Sequence, residues 1–105
     1  APCGPWITTT DEIQNPQNLK MTTKVNGEIR QNSSTSNMFI KIPEIIVKIT
    51  KVMTLEKGDI ISTGTPAGTM LNQPNAVYLK DGDKIEMEIE GLGMLNNTIK
   101  VIKAN

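Results

Sequence analysis

The chain has 105 residues, a length that fits one domain able to bury a core without disulfides or metals. Its eleven basic and eleven acidic residues cancel, and no Lys/Arg cluster with interleaved aromatic residues marks a nucleic-acid surface. The longest apolar runs are too short to span a membrane, and no secretion signal begins the chain. We therefore expect neither nucleic acid nor a membrane as a partner.

The counts of histidine and cysteine exclude several classes of catalytic site and a disulfide framework. Histidine is absent and Cys3 is the single cysteine, so Ser-His and Cys-His nucleophiles and an internal disulfide are excluded. A reducing cytoplasm is the expected location. The chain starts without Met in a stretch typical of a loop, residues 1–17, where Trp6 is predicted to be a packing anchor. We interpret this start as that of a fragment or a cleaved product.

A β-hairpin is predicted over residues 19–31, because Asn26-Gly27 supplies the two positive φ angles of a type I′ turn. Residues 31–37 are polar and are predicted to form a surface loop. Apolar residues then recur at helical spacing from Ile42 to Met53, which predicts one amphipathic helix whose apolar stripe packs in the core.

The second half of the chain is predicted to be mainly β. Residues 60–63 are expected to form a buried strand that ends in Gly64, Thr65, Pro66 and Gly68. Residues 84–90 alternate polar and apolar side chains as a half-exposed strand does, and 91–93 allow a tight reversal into 94–102. The predicted fold is α+β and mainly β, with one helix.

The segment 59–68 is the best candidate for a binding site. Its glycines allow close approach of the backbone, and its threonine hydroxyls and nearby amides suit a carboxylate or phosphate oxygen. The alternative is a strand that ends in an ordinary loop. The glycine spacing does not match a phosphate-binding loop of nucleotide-binding enzymes.

Three other patterns favour structural interpretations. Glu86, Glu88 and Glu90 share one strand face and could gather Mg²⁺, but charged residues on a solvent-exposed face are routine. Asp81-Gly-Asp83 is predicted to be a turn, since the distal ligand of a calcium loop is missing. The glycosylation patterns at Asn32 and Asn96 are interpreted as chance matches.

Six stretches together resemble one family, in order and spacing. They are residues 4–7 (GPWI), 14–19 (QNPQNL), 25–31 (VNGEIRQ), 53–60 (MTLEKGDI), 63–68 (TGTPAG) and 88–93 (EIEGLG). This set is similar to the C-terminal half of the catalytic domain of the fumarylacetoacetate hydrolase family. The resemblance covers nearly all of the chain and implies that residues 1–105 are the C-terminal portion of a single such domain.

The resemblance implies a hydrolase, isomerase, decarboxylase or dehydratase of small 2-oxo or 2,4-dioxo acids. It also implies a β-sandwich-like roll, a homodimer and Mg²⁺ or another divalent cation, held by a Glu-x-Glu pair and an Asp. In that family a Thr-Gly-Thr-Pro stretch closes over the substrate carboxylate, which makes Thr65 the substrate-binding threonine and Gly64 its neighbour. Thr63 is expected to be structural.

This sequence departs from the family pattern in lacking the upstream half of the domain. The metal ligands and the other catalytic residues are expected in that half, so the resemblance assigns no catalytic and no metal-binding residue to this segment, and the segment alone is expected to be inactive. Glu86-Met-Glu88 has the letters of the metal pair but lies in the wrong place. The alternative function is a non-catalytic, β-rich binding or assembly module.

Overall fold

The computed structural model describes residues 2–71 and 74–102, which form a four-stranded antiparallel sheet and one α-helix. The order of the strands in the sheet is β2-β1-β3-β4. The predicted α+β, mainly β class is therefore confirmed. The elements in chain order are β1 (Lys20–Val25), β2 (Glu28–Ser34), a 3₁₀ turn (Thr35–Asn37), α1 (Ile42–Thr50), β3 (Lys84–Ile89) and β4 (Gly93–Thr98).

Two hairpins build the sheet, and both follow from local sequence. Asn26 and Gly27 join β1 to β2 with φ angles of 51° and 82°, as a type I′ turn requires. The alternating residues of β3 reverse at 91–93 into β4, which ends at Thr98, earlier than expected. The long-range pairing of β1 with β3 then joins the two hairpins into one sheet.

A β-bulge interrupts the pairing of β1 with β2. Thr23 pairs with Gln31, but the next residue of β1, Lys24, pairs with Ile29. Arg30 is therefore an extra residue in β2. Such a bulge changes which face of the sheet the following side chains occupy.

The helix α1 begins as predicted, with Pro43 in its first turn, but ends at Thr50 before reaching Met53. The prediction that its apolar stripe lies in a core is wrong for the described residues. Ile45 and Ile49 are only half-buried, and Ile46 is 42% exposed. The reason is that α1 makes no extensive contact with any strand of the described ranges. At nine residues it is also far too short to cross a membrane, and residues 2–71 and 74–102 contain no other α-helix.

The described part of the chain has no buried hydrophobic side chain; the one buried residue is Asp83. Phe39 is 99% exposed and Ile7 is 94% exposed. A 105-residue domain normally buries most of its large apolar side chains. Within the described ranges, the sheet and the helix are therefore not covered by a second layer of apolar side chains.

Three local predictions need correction or refinement. Residues 60–63 are not a buried strand, since they pair with no described strand and Ile60 is 79% exposed. The polar segment 31–37 is not a simple loop, because β2 continues to Ser34 and the Ser34 hydroxyl accepts from the Ser36 amide to begin the 3₁₀ turn. Trp6 is 61% exposed, yet its ring lies against Gly93 at the start of β4.

Candidate active-site wall

The segment 64–68 is held against β2 by one glutamine side chain. Gln31 Nε2 donates to Thr65 Oγ1 at 2.8 Å and to the Pro66 carbonyl oxygen at 3.1 Å. Both acceptors lie more than thirty positions along the chain from Gln31, at separations of 34 and 35 residues. This contact fixes the threonine loop to the sheet although the loop has no strand pairing of its own.

Gly68 brings the same loop into direct contact with the bulge. Its φ of +108° lies in the left-handed region, where glycine is favoured. A Cβ built on Gly68 would collide with the Arg30 carbonyl oxygen and lie 3.0 Å from Gln31 Cγ. The close approach of the loop to β2 therefore requires glycine at this position.

An open cavity of about 570 Å³ lies between this loop and one face of the sheet. Thr23 and Val25 of β1, with their partners Met87 and Ile85 of β3, share the face that forms its floor. The apolar alternation of β3 was correctly predicted, but the face that carries Ile85 and Met87 lines this cavity and is only half-buried. Polar residues on the walls include Arg30, Gln31, Thr65, Tyr78 and Lys80.

The bulge explains why Arg30 and Gln31 both line the cavity. In a regular strand, adjacent side chains point to opposite faces. The extra residue in β2 breaks that alternation and brings a guanidinium and an amide to the same site. The side chain of Arg30 is 29% exposed, and its Nη2 lies 3.3 Å from Glu28 Oε2.

Asp83 supplies a fixed negative charge at the cavity wall. Asn26 Nδ2 donates to its Oδ1 at 3.0 Å, and the Lys80 amide donates to its Oδ2 at 2.9 Å. These bonds, the Asn26 one first, hold the pKa of the Asp83 carboxyl below its ordinary value, and the charges of Lys80 and Arg30 act in the same direction. The turn predicted at 81–83 is thus locked to the β1–β2 turn, because Asn26 Oδ1 also accepts from the Lys84 amide at 2.9 Å.

The two residues predicted to bind substrate differ in their placement. Thr65 is exposed and lines the cavity, whereas Gly64 and Thr63 are absent from its lining. Gly64 has a φ of +91° and precedes Thr65 in the loop, so it sets the path of the backbone into the site. The roles of Thr65 and Gly64 in binding substrate stay predictions.

Sequence reasoning missed Arg30 and Gln31. Both lie in the stretch 25–31, which predicts a turn and carries part of the family resemblance. A two-residue period predicts opposite faces for them, and nothing in the sequence pattern marks a bulge at this position.

The carboxylates do not gather into a metal site among the residues the structure describes, where no three His, Cys, Asp or Glu side chains are suitably placed. Glu86 pairs across the sheet with Lys24 on one side and Asn96 on the other. Glu90 Oε2 accepts from the Lys20 amide at 3.1 Å. The donor set of the described residues thus does not fit a tightly held Mg²⁺.

Comparison with known proteins places the chain in a family. Residues 1–100 match the family model described as fumarylacetoacetate (FAA) hydrolase C-terminal. The chain is 47% identical over 98 residues to oxaloacetate tautomerase YisK of Bacillus subtilis, a match that covers 93% of this chain and 33% of that protein.

Solved structures agree with the sequence matches. The fumarylacetoacetate hydrolase of Exiguobacterium antarcticum superposes with a TM-score of 0.89 at 44% identity, over 94% of this chain and 35% of that one. The maleylpyruvate hydrolase of Sphingobium sp. SYK-6, solved with manganese(II) and pyruvate, superposes with a TM-score of 0.81 at 39% identity, over 90% of this chain and 33% of that one. The chain spans about a third of the length of these relatives. The resemblance found in the sequence is confirmed, and the chain belongs to the fumarylacetoacetate hydrolase family.

Proposed function

We propose that residues 1–105 are the C-terminal portion of a catalytic domain that acts on small 2-oxo or 2,4-dioxo acids. Within it, this segment supplies the wall that binds the substrate carboxylate. Thr65 is the binding residue, and Gly64 shapes the backbone that presents it. The reaction is a hydrolysis, isomerisation, decarboxylation or dehydration of the oxo acid, and the hydrolase, tautomerase and isomerase names of the relatives support the first two.

The observation that carries this proposal is the position of Thr65. Its hydroxyl is at the surface of a cavity of about 570 Å³, a size suited to a small organic acid. Arg30 lines the same cavity and adds a permanent positive charge, which favours an anionic ligand. Lys80 adds a second cation, so the described lining keeps an excess of positive charge over its one carboxylate, Asp83.

The residues of this chain bind and orient; they do not carry out the bond-breaking step. The hydroxyl donates a hydrogen bond to the carboxylate, and the nearby guanidinium attracts the same group. Together they hold the acid in one orientation, which lowers the entropic part of the activation barrier. A divalent cation, Mg²⁺ or another, polarises an oxo group when it is bound. We assign its ligands to polypeptide outside this segment, and the manganese(II) in the maleylpyruvate hydrolase supports a divalent cation.

The exposed apolar faces also support the proposal that further polypeptide completes the active site. Large apolar surfaces without a covering layer favour association with further polypeptide. We propose that the upstream half of the same domain covers them, since relatives of this family are about three times as long as this chain. A homodimer and a cytoplasmic location complete the proposal.

A chimera with the Bacillus subtilis relative tests the role of Thr65. In this "YisK chimera" the present chain replaces the 98 residues that it matches in oxaloacetate tautomerase YisK. We expect the chimera to tautomerise oxaloacetate. Thr65→Val should lower kcat/KM about tenfold or more, mainly by raising KM, because a hydrogen bond to a charged group is lost. Thr65→Ser, which keeps the hydroxyl, should retain most of the activity.

Thr63→Val is the matched control, since this neighbouring threonine does not line the cavity. It should leave the steady-state kinetics within about threefold of the unmodified chimera. If Thr65→Val and Thr63→Val had the same kinetics, Thr65 would have no role in substrate binding. A folded chimera without activity would instead favour the alternative function, a non-catalytic binding or assembly module.

The isolated 105-residue chain tests where the metal ligands lie. Titration of the chain with Mg²⁺ and oxalate in a calorimeter should give no metal-dependent binding, because its described carboxylates are dispersed. Tight oxalate binding that requires Mg²⁺ would contradict the assignment of the metal ligands to other polypeptide.

A further inference from the structure

We propose that Gln31 is a positioning residue that fixes the direction of the Thr65 hydroxyl proton. The inference rests on the proposed role of Thr65 in binding a substrate carboxylate. It adds a specific requirement to that role: the hydroxyl must be a donor toward the ligand. The amide of Gln31 meets this requirement because it donates to Thr65 Oγ1, so that the hydroxyl oxygen accepts this bond and the hydroxyl proton stays available.

The orientation of the Gln31 amide is set by Pro66. A backbone carbonyl oxygen can only accept a hydrogen bond, so the atom of Gln31 that lies 3.1 Å from the Pro66 oxygen must be the NH₂ group. If the amide were flipped, two carbonyl oxygens would face each other at that distance. The same nitrogen lies 2.8 Å from Thr65 Oγ1, and it has a second N–H to donate there.

The polarity of the threonine follows from this arrangement. A hydroxyl carries one proton and two lone pairs, and Gln31 uses one lone pair of Thr65. The proton of Thr65 is thus not spent on Gln31. Because Thr65 is exposed at the cavity, its proton is available to a carboxylate oxygen of a ligand there.

The bulge gives Gln31 a rigid base for this task. Gln31 pairs with Thr23 in the sheet immediately beside the extra residue Arg30, so its backbone is held by β1. Gly68, three residues after Thr65, lies against Arg30 and Gln31. The backbone of Gln31 is therefore held by its strand pairing, and the loop that carries Thr65 is held against the same two residues of β2.

A double-mutant cycle in the YisK chimera tests the inference. The four proteins are the unmodified chimera, Gln31→Met, Thr65→Val and the double variant, and KM and kcat for oxaloacetate are measured for each. Methionine keeps the length of the side chain but removes both donors. We expect Gln31→Met to raise KM about fivefold to tenfold with a smaller change in kcat, and to have almost no further effect when Thr65→Val is already present.

Gln31→Glu provides a second variant with nearly the same shape. Its carboxylate would accept the Thr65 proton and repel the substrate anion, so KM should rise more than in Gln31→Met. The ratio of the KM of Gln31→Glu to the KM of the unmodified chimera should fall as the pH is lowered toward about 4.5, where a carboxyl gains a proton and can donate again. Absence of this recovery would contradict a donor role for the side chain at position 31. A tether through the Pro66 carbonyl oxygen would recover in the same way, so the double-mutant cycle is the measurement that separates it from a role at Thr65.

Gln17 is the matched control for loss of a structural glutamine. It donates to the Thr35 carbonyl oxygen and accepts from the Ile42 amide, away from the cavity lining. Gln17→Met should change KM by the same factor with and without Thr65→Val. Equal effects of Gln31→Met in both backgrounds, or no effect in either, would overturn the inference. A normal KM for Thr65→Val would refute the proposed function instead.

Discussion

Gly68→Ala in the YisK chimera is expected to lower kcat/KM about 100-fold or more. Gly68 has a φ of +108°, and an added Cβ would collide with the Arg30 carbonyl oxygen. Backbone on both sides of this contact must move apart to admit a methyl group. A shift of about 1 Å in a positioning element can cost about 100-fold in rate, and this shift would move Thr65 away from the ligand as well as from Gln31.

Gly58→Ala is the control for backbone strain alone. Gly58 has a similar φ of +95°, but nothing lies within 4 Å of its Cβ position. This variant should lose some thermal stability and keep kcat/KM within about threefold. If Gly58→Ala and Gly68→Ala reduced kcat/KM to the same extent, the contact between the loop and the bulge would not matter for activity.

Asn26→Gly is expected to lower the Tm of the chimera by about 5 °C at pH 7. Glycine accepts the φ of 51° at this position, so the turn itself is preserved. The variant loses the donor to Asp83 Oδ1 and the acceptor for the Lys84 amide. Asp83, the one buried residue in the described ranges, would then keep its charge with fewer donors.

The effect of Asn26→Gly should depend on pH in a defined direction. The Asp83 pKa in the folded protein is below the ordinary value of 3.8, so its stabilising contribution is complete above about pH 4. It is lost as the pH falls through the folded-state pKa. The difference in Tm between the two proteins should accordingly shrink in acid.

Asp83→Asn isolates the contribution of the charge. Asparagine has nearly the same shape, but it has no carboxylate to titrate. At each pH, the Tm of the double variant is subtracted from the Tm of Asp83→Asn alone. This difference should be the same at about pH 7 and at about pH 3. A cost that varied with pH as strongly as in the presence of Asp83 would assign the pH dependence to other carboxylates.

The strands were predictable where local chemistry decides them. Asn26-Gly27 fixes the first hairpin, because few other dipeptides adopt two positive φ angles. The alternation of β3 fixes which of its side chains share a face. The strand expected at residues 60–63 failed for a different reason: a strand needs a partner, and a short apolar run does not reveal whether one is present.

The sequence predicted the loop residues of the candidate site but not the residues of β2 that line it. The family resemblance, together with the glycines and hydroxyls of the loop, predicted Thr65, which lines the cavity, and Gly64, which precedes it in the loop but does not line the cavity. Gln31 and Arg30 were not found, because their placement depends on one unpaired residue in β2. A bulge results from the pairing of two strands, so the pattern of a single strand does not record it.

The exposed apolar faces tie the folding of this segment to association. Any surface that binds only the folded form stabilises it by mass action, so the folded fraction of these residues would rise with the local concentration of the polypeptide that covers them. In the proposed complete domain, covalent linkage to that polypeptide would supply such a concentration permanently. Copies of the segment that lack a cover would present side chains such as Phe39 and Ile7 to proteases and chaperones, and their cellular lifetime would be set by the rate of capture.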